Sequence, residues 1–194
     1  MPIDELDATF PDIDEPLMLR ILFALLFISA AVSAQTTAQI DPWKPLKFFI
    51  GVWEGTGKGE AGDSMVEREY KFTLGNKYMQ VTARSIYDPK AKLPKGNVHE
   101  DLGLFSYDKA RKQFVFRQFN AEDFVVQFVV ASISDDGKIM ILESESVENI
   151  PKNMRLRVTY KIVSENEFTE TYEGAEPGKD FALYYAKDFK RKKQ

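Results

Sequence analysis

The chain reads as an all-β protein, a single up-and-down antiparallel β-barrel of about ten strands, and three observations predict it. Apolar residues alternate with period two from about residue 51 onward, in runs bounded by turn signals, which marks strands with one buried face. No stretch carries a sustained helical period, so successive strands lack the helical crossovers that a parallel sheet needs. The segment Phe48-Phe49-Ile50-Gly51-Val52-Trp53 opens the first strand with an indole large enough to plug one end of a barrel, given a partner for its N–H. Closure also hides the edges that a chain so rich in Phe, Val and Ile must not expose.

At 194 residues and 44% hydrophobic, the chain has one domain's length and enough apolar content for a core. Its first part does not belong to that core. Residues 1–17 hold Asp4, Glu5, Asp7, Asp12, Asp14 and Glu15 with no base, and read as a disordered or mis-called acidic extension ahead of a natural start at Met18. Residues 18–34 have the layout of a secretory signal peptide: Arg20, an apolar run over 21–32 too short to span comfortably, and small residues at Val32-Ser33-Ala34. An uncleaved anchor is the alternative. Taking away residues 1–34 removes six acids and one base and moves the formal charge from −4 to +1. A near-neutral domain gives no reason to expect nucleic acid as a partner. Export to the periplasm or the medium is expected, with a membrane met only through the signal peptide. The chain has no cysteine, which removes disulfides and thiol chemistry.

Residues 35–50, with Pro42, Trp43 and Pro45, are expected to lie across one barrel end as a loop or short turn of helix. In the first strand Gly55, Gly57 and Gly59 fall on one face, where missing side chains allow sharp coiling or close approach. Gly57-Lys58 is not a phosphate loop, because Val52 and Gly59 stand where Gly and Ser or Thr are required. Next, Val66, Arg68, Tyr70, Phe72 and Leu74 share a face opposite Glu67, Glu69, Lys71 and Thr73. Gly75-Asn76 is predicted as a two-residue hairpin turn into a strand over 77–87. Residues 88–97 form a long loop at the barrel mouth. Strands over 98–107 and 112–119 join through Asp108-Lys109-Ala110-Arg111, where aspartate suits the start of a type I turn. Phe124, Val126, Phe128 and Val130 alternate, Asp136-Gly137 turns the chain, and 138–145 returns. Met154, Leu156, Val158, Tyr160 and Ile162 form the next apolar face. Glu165-Asn166 leads to 168–172, and Glu176-Pro177-Gly178 to the last strand over 181–189. The barrel domain is thus expected over 51–190, with a basic tail at 191–194.

Gly51-Val52-Trp53 at the first strand, the meander of strands, and a basic residue after the last one (Lys190 or Arg191) together resemble the calycin group of lipocalins, fatty-acid-binding proteins and nitrobindin-like barrels. Within it the chain is most similar to the bacterial fatty-acid-binding-like and nitrobindin-like families, since the first turn, 60–64, is too short for a helical lid. The block Gly96-x-Val98-His99-Glu100-Asp101, with Phe105-Ser106-Tyr107-Asp108-Lys109-Ala110-Arg111 and Arg117-Gln118-Phe119, looks like a family of uncharacterised exported bacterial proteins. The resemblance implies a ligand-binding barrel. Its nitrobindin-like branch implies haem held by a histidine on the final strand, where this chain offers Tyr184 and Tyr185; its one histidine, His99, lies on an early strand.

A barrel of about ten strands has room for one small ligand. Polar residues on apolar faces are then the candidates. Arg68 accompanies Val66, Tyr70 and Phe72; Arg84 accompanies Tyr78 and Ile86; Gln118 accompanies Phe114 and Phe116; Gln127 accompanies Val125 and Val129. A buried arginine needs a partner, either an internal carboxylate such as Glu143, aligned with Ile139 and Ile141, or an anionic ligand head group. The expected ligand-binding set is Arg68, Tyr70, Arg84, Arg117, Gln118, Gln127 and Tyr184, with Trp53 as the end plug. His99 and Asp101 share a face and are the place to look for acid–base work. One histidine and one carboxylate fall short of a metal site, and no serine sits at a nucleophile elbow. The reading is a non-catalytic carrier of a hydrophobic or amphipathic, fatty-acid-like molecule, without cofactor. The alternatives are a haem binder, a lipocalin-like isomerase or hydrolase using His99 and Asp101, and a structural barrel with a filled core.

Overall fold

A computed structural model of the protein describes residues 41–89, 97–150 and 153–193, and the barrel lies in one compact unit, Pro42–Gln194. The expected acidic extension and signal peptide, and most of the loop over 88–97, lie outside the described residues.

A short 3-10 segment, Lys44–Phe49, precedes ten strands among the described residues. These are β1 (Gly51–Gly59), β2 (Ser64–Thr73), β3 (Tyr78–Tyr87), β4 (Asn97–Asp108) and β5 (Gln113–Asn120). The chain continues through β6 (Val125–Ile133), β7 (Ile139–Glu148), β8 (Arg155–Ser164), β9 (Glu167–Ala175) and β10 (Ala182–Arg191). Each strand pairs antiparallel with the next, and β1 pairs with β10 from Trp53↔Arg191 to Gly59↔Tyr185, which closes the barrel. The expected all-β up-and-down barrel is therefore present, with the turns where Asp, Asn and Gly place them. Asp108 accepts from the amides of Ala110 and Arg111 at 3.0 and 3.1 Å, ordering the turn between β4 and β5.

Two boundaries differ from expectation. The turn after β2 is longer than Gly75-Asn76, because Leu74, Gly75 and Asn76 all adopt positive φ and pairing resumes only at Thr73↔Tyr78. The last strand runs on to Arg191, and the amide of Lys192 still donates to the Val52 carbonyl at 2.9 Å, so the barrel extends into the expected tail.

The alternate glycines of β1 have a structural cause. A Cβ on Gly55 would meet the Asp188 carbonyl oxygen at 1.7 Å, so β1 and β10 approach too closely there for any side chain. A Cβ on Gly57 would meet Ser64 Oγ at 2.7 Å and Lys187 Cγ at 3.1 Å. The missing side chain at Gly57 thus makes room for the stem of an inward-pointing lysine.

Up-and-down connectivity sends the odd strands from one barrel end to the other and the even strands back. One end therefore carries the 3-10 segment, and the other, the mouth, carries the connections after β1, β3, β5, β7 and β9. The 3-10 segment drops Leu46 and Phe49 into the closed end, where both are buried. There Phe49 meets Phe168 at 5.2 Å, Phe168 meets Trp53 at 4.8 Å, and Phe168 stacks on Phe189 at 4.6 Å. Trp53 Nε1 donates to the Phe49 carbonyl at 2.6 Å, so the expected plug has the partner that it needs. The Arg191 guanidinium lies 4.1 Å over the indole and donates to the carbonyls of Ile50 and Phe48 at 2.7 and 2.8 Å. That cation ties the cap to the first strand and covers the plug.

Candidate functional site

Along the axis the lumen changes character at one layer. Arg68 on β2 and Glu170 on β9, 6% and 2% exposed, form a two-point ion pair in which Arg68 Nη1 donates to Glu170 Oε2 and Nη2 donates to Oε1 at 3.1 Å. Arg68 Nη1 also donates to the Tyr70 hydroxyl at 3.3 Å, and the guanidinium lies 4.8 Å over the Phe189 ring. Burial alone would favour the neutral forms, but the two charges together with their hydrogen bonds hold Arg68 above and Glu170 below their ordinary ranges. The pair stays ionised and floors the open half of the barrel. On the cap side of it lies the aromatic plug.

Above this floor a void of about 20 Å³ is lined by residues including Arg68, Asp101, Gln118, Tyr172 and Tyr185. It has room for about one water molecule. Two buried polar atoms without hydrogen-bond partners, Arg68 Nε and Asp101 Oδ1, belong to residues lining that void. Toward solvent it gives way to a mouth cavity of about 220 Å³, lined among others by Asp101, Gln118, His99, Tyr184, Tyr185 and Lys187. A neighbouring, more apolar cavity of about 460 Å³ shares Phe124, Tyr172 and Tyr184 with it and continues along Ile150, Met154, Leu156 and Leu183. A polar chamber is thus joined to an apolar groove at the barrel mouth.

Lys187 on β10 is the chamber's unusual group. It is 4% exposed, its Nζ donates to Ser85 Oγ at 3.2 Å, and Nζ sits 4.3 Å from the centre of the Tyr185 ring. In register it faces Gly57 on one side and Glu170 on the other. Gly57 has nothing to offer, and both oxygens of Glu170 are taken by Arg68. Burial therefore dominates and draws the Lys187 pKa down to about 8, with Glu170 and Asp101 opposing and Arg68 adding to the shift.

At the rim His99 stands between two carboxylates. Nδ1 is 2.6 Å from Glu122 Oε1, and Nε2 is 2.9 Å from Asp101 Oδ1, an ion-pair contact without the alignment of a hydrogen bond. Asp101 first, then Glu122, raise the imidazole to about 9 against the opposing effect of burial. His99 is charged at neutral pH. The expected sharing of one face by His99 and Asp101 is what the structure shows.

Of the expected ligand set, Arg68, Tyr70 and Gln118 face the lumen, and Tyr184 stands half-exposed at the rim. Arg68 is already paired, with Glu170. Glu143, the carboxylate expected for it, lies on the outer surface, where Arg157 Nη2 donates to it at 2.9 Å. Arg84, Arg117 and Gln127 also face outward, and this corrects the face assignment. Arg84 is 48% exposed beside Glu100, Arg117 reaches Ser106 Oγ at 3.4 Å, and Gln127 donates to Glu145 at 2.9 Å. The reason is that the outer faces of β3 and β6 also carry apolar residues, Tyr78 and Ile86 on one, Val125 and Val129 on the other. Apolar company selected the wrong parity there. The inward residues are Met79, Val81, Ala83 and Ser85 on β3 and Val126, Phe128 and Val130 on β6.

Sequence reading missed Lys187 and Glu170. Each sits at an inward parity between aromatic residues, Lys187 between Tyr185 and Phe189, Glu170 between Phe168 and Tyr172. That signal was in the sequence, but charged residues at strand positions are ordinarily assigned to the solvent face.

No family model matches the chain, and no curated protein matches it. Among solved structures it is similar to Rv2717c from M. tuberculosis, with a TM-score of 0.60 at 17% identity, covering 78% of this chain and 98% of that one. A de novo designed fluorescence-activating β-barrel aligns at a TM-score of 0.39 and 11% identity, over 75% of this chain and 95% of that chain. The first likeness is one of fold: a closed β-barrel of this general form.

Proposed function

We propose that the protein is an exported, non-catalytic binder of a small amphipathic molecule, held at the mouth rather than through the length of the barrel. The carrying observation is the junction of the two cavities: a polar chamber floored by an ion pair and holding Lys187 opens beside an apolar groove. The ligand's polar head accepts a hydrogen bond from the Lys187 ammonium and reaches Gln118, while its tail lies along Met154, Leu156 and Leu183. The chamber is smaller than the roughly 300–1,000 Å³ of drug-sized sites, which favours a compact head group and a single chain. This moves the anchoring cation from the expected arginines to Lys187.

Titrating the protein with decanoate by calorimetry tests the reading. Saturable binding is expected, weakened about tenfold or more in Lys187→Met and unchanged in Arg84→Ala, since one charge-assisted hydrogen bond is worth about 1.5–3 kcal/mol. Equal affinity in wild type and Lys187→Met would refute the assignment of the head group.

The enzyme reading rests on the His99–Asp101 contact, but a histidine held protonated to about pH 9 is a poor base at neutral pH. The haem reading fits less well. Tyr185 is partly buried and stacked on Tyr172 at 4.9 Å, and desolvation pushes both phenols up, away from the tyrosinate that ligates iron.

A further inference from the structure

Lys187 has three N–H donors, and the structure gives its ammonium one oxygen, Ser85 Oγ, and one ring face. No carboxylate among the described residues comes within ion-pair distance of it, because Arg68 holds the nearest in register, Glu170. A lysine 4% exposed on the wall of an open cavity is an expensive way to bind a carboxylate, since exposed Lys or Arg at the rim would serve. It is, however, the arrangement that makes an amine nucleophilic: desolvated, fixed on a strand, and reachable by a ligand. A second observation points the same way. Asp101, on the wall of that cavity, adds a carboxylate that is 7% exposed and whose Oδ1 makes only an ion-pair contact, with His99 at the rim, without the alignment of a hydrogen bond.

We propose that Lys187 captures an apolar aldehyde or ketone as a reversible imine in the mouth cavity, with Asp101 as the counter-charge of the iminium. The inference rests on the mouth being a ligand site and makes the ligand's head a carbonyl. The neutral ε-amine attacks the carbonyl carbon, and the N–C bond forms as the C=O π pair moves to oxygen. One proton passes from nitrogen to that oxygen, giving a carbinolamine. The hydroxyl then takes a proton from solvent at the open mouth and leaves as water, and the nitrogen lone pair forms the C=N⁺–H bond. No oxidant or reductant is needed, and hydrolysis returns lysine and carbonyl compound. The iminium keeps its positive charge at neutral pH, and Asp101, which Lys187 lacks as a direct partner and which also holds His99, supplies the opposing charge across the cavity.

Burial adds to the case. With its pKa near 8 against 10.5 for an ordinary lysine, Lys187 carries roughly three-hundredfold more neutral amine at pH 7 than a surface lysine. Burial sets this first, with Glu170 on β9 and Asp101 on β4 opposing it and Arg68 on β2 adding to it; Tyr185 on the same strand and His99 and Glu122 at the rim also line the cavity.

The test incubates the whole protein with decanal and cyanoborohydride, which reduces an iminium to a stable amine, and maps the adducts by peptide mass spectrometry. One adduct per chain at Lys187 is expected, forming faster as pH rises toward 8 and blocked by excess decanoate. Adducts spread over surface lysines at equal rates, or a Lys187 left unmodified while they react, would overturn the proposal. Calorimetry with decanoate on the same preparation separates the two levels. Binding without Lys187 labelling removes the imine and leaves the binding site, whereas failure of both removes the site itself. Because the map is read on wild-type protein, no variant has to fold for the result to count.

Discussion

The closed end and the mouth are two halves of one lumen, lined by the same strands, yet they solve opposite problems. At the closed end most inward positions are large and apolar, the one polar hydrogen of Trp53 is satisfied by Phe49, and the 3-10 segment seals what remains. At the mouth the same inward parity carries Ser85, His99, Asp101, Gln118 and Lys187, with two buried polar atoms, Arg68 Nε and Asp101 Oδ1, lacking an aligned hydrogen bond and cavities left open. The Arg68–Glu170 pair marks the border. Stability is concentrated below it, and burial costs without full compensation are concentrated above it, which is where strain of function belongs.

The comparison is broken most severely by emptying the plug. Phe168→Ala, which removes the ring shared by Phe49, Trp53 and Phe189, is expected to cost about 3–5 kcal/mol in urea denaturation, whereas Tyr184→Ala at the rim stays within about 0.5. Equal costs would mean that the two halves are not different. Glu170→Ala leaves Arg68 buried and uncompensated, and should cost about 3–5 kcal/mol as well; the double variant Arg68→Met with Glu170→Leu should recover most of it. A double variant no better than the single one would show that the pair is more than a divider.

Lys187→Met sharpens the contrast in the other direction. Relieved of a buried ammonium, the variant should be more stable than wild type by about 1–3 kcal/mol at pH 7 while binding ligand less well. A loss of stability would place Lys187 among the structural groups.

The smallest expected effect is the pH dependence of the rim. The folded-state pKa of His99, about 9, lies above its ordinary 6.5, so its contribution is complete below pH 6.5 and is lost as pH rises through 9. After solvent screening at the exposed Glu122 side it should amount to about 1 kcal/mol. Lys187 has the opposite sign: its folded pKa of about 8 lies below 10.5, so stability is regained between those values. Denaturation of Lys187→Met from pH 6 to 10 isolates the histidine, and a curve flat across that range would contradict the ion pairs drawn for His99.

The fold was legible because its signals are local and redundant. Period-two runs, Asp and Gly turns, and Gly51-Val52-Trp53 each point to the same barrel, and Arg191 completes the plug that Trp53 begins. The site was legible only in part. Arg68, Tyr70 and Gln118 were recognisable as inward because their strands alternate cleanly, whereas Arg84 and Gln127 were misplaced because this barrel's outer surface is itself apolar at Ile86, Val125 and Val129. Lys187 and Glu170 sit at inward parity between aromatic residues, but the opening that Gly57 leaves for Lys187 and the Arg68 that pairs Glu170 come from strands remote in sequence, which no local pattern encodes.

The division of the lumen is tested most directly by following backbone amide and indole N–H resonances as decanoate is added. Both tryptophans, Trp43 and Trp53, pack at the closed end, so their indole signals should stay fixed while the amides of Gly57, Ala61, Asn97, Gly103 and Tyr184 shift. Movement of the Trp53 indole with the mouth amides unchanged, or shifts confined to the outer face around Arg84 and Arg117, would contradict a ligand seated above the ion pair.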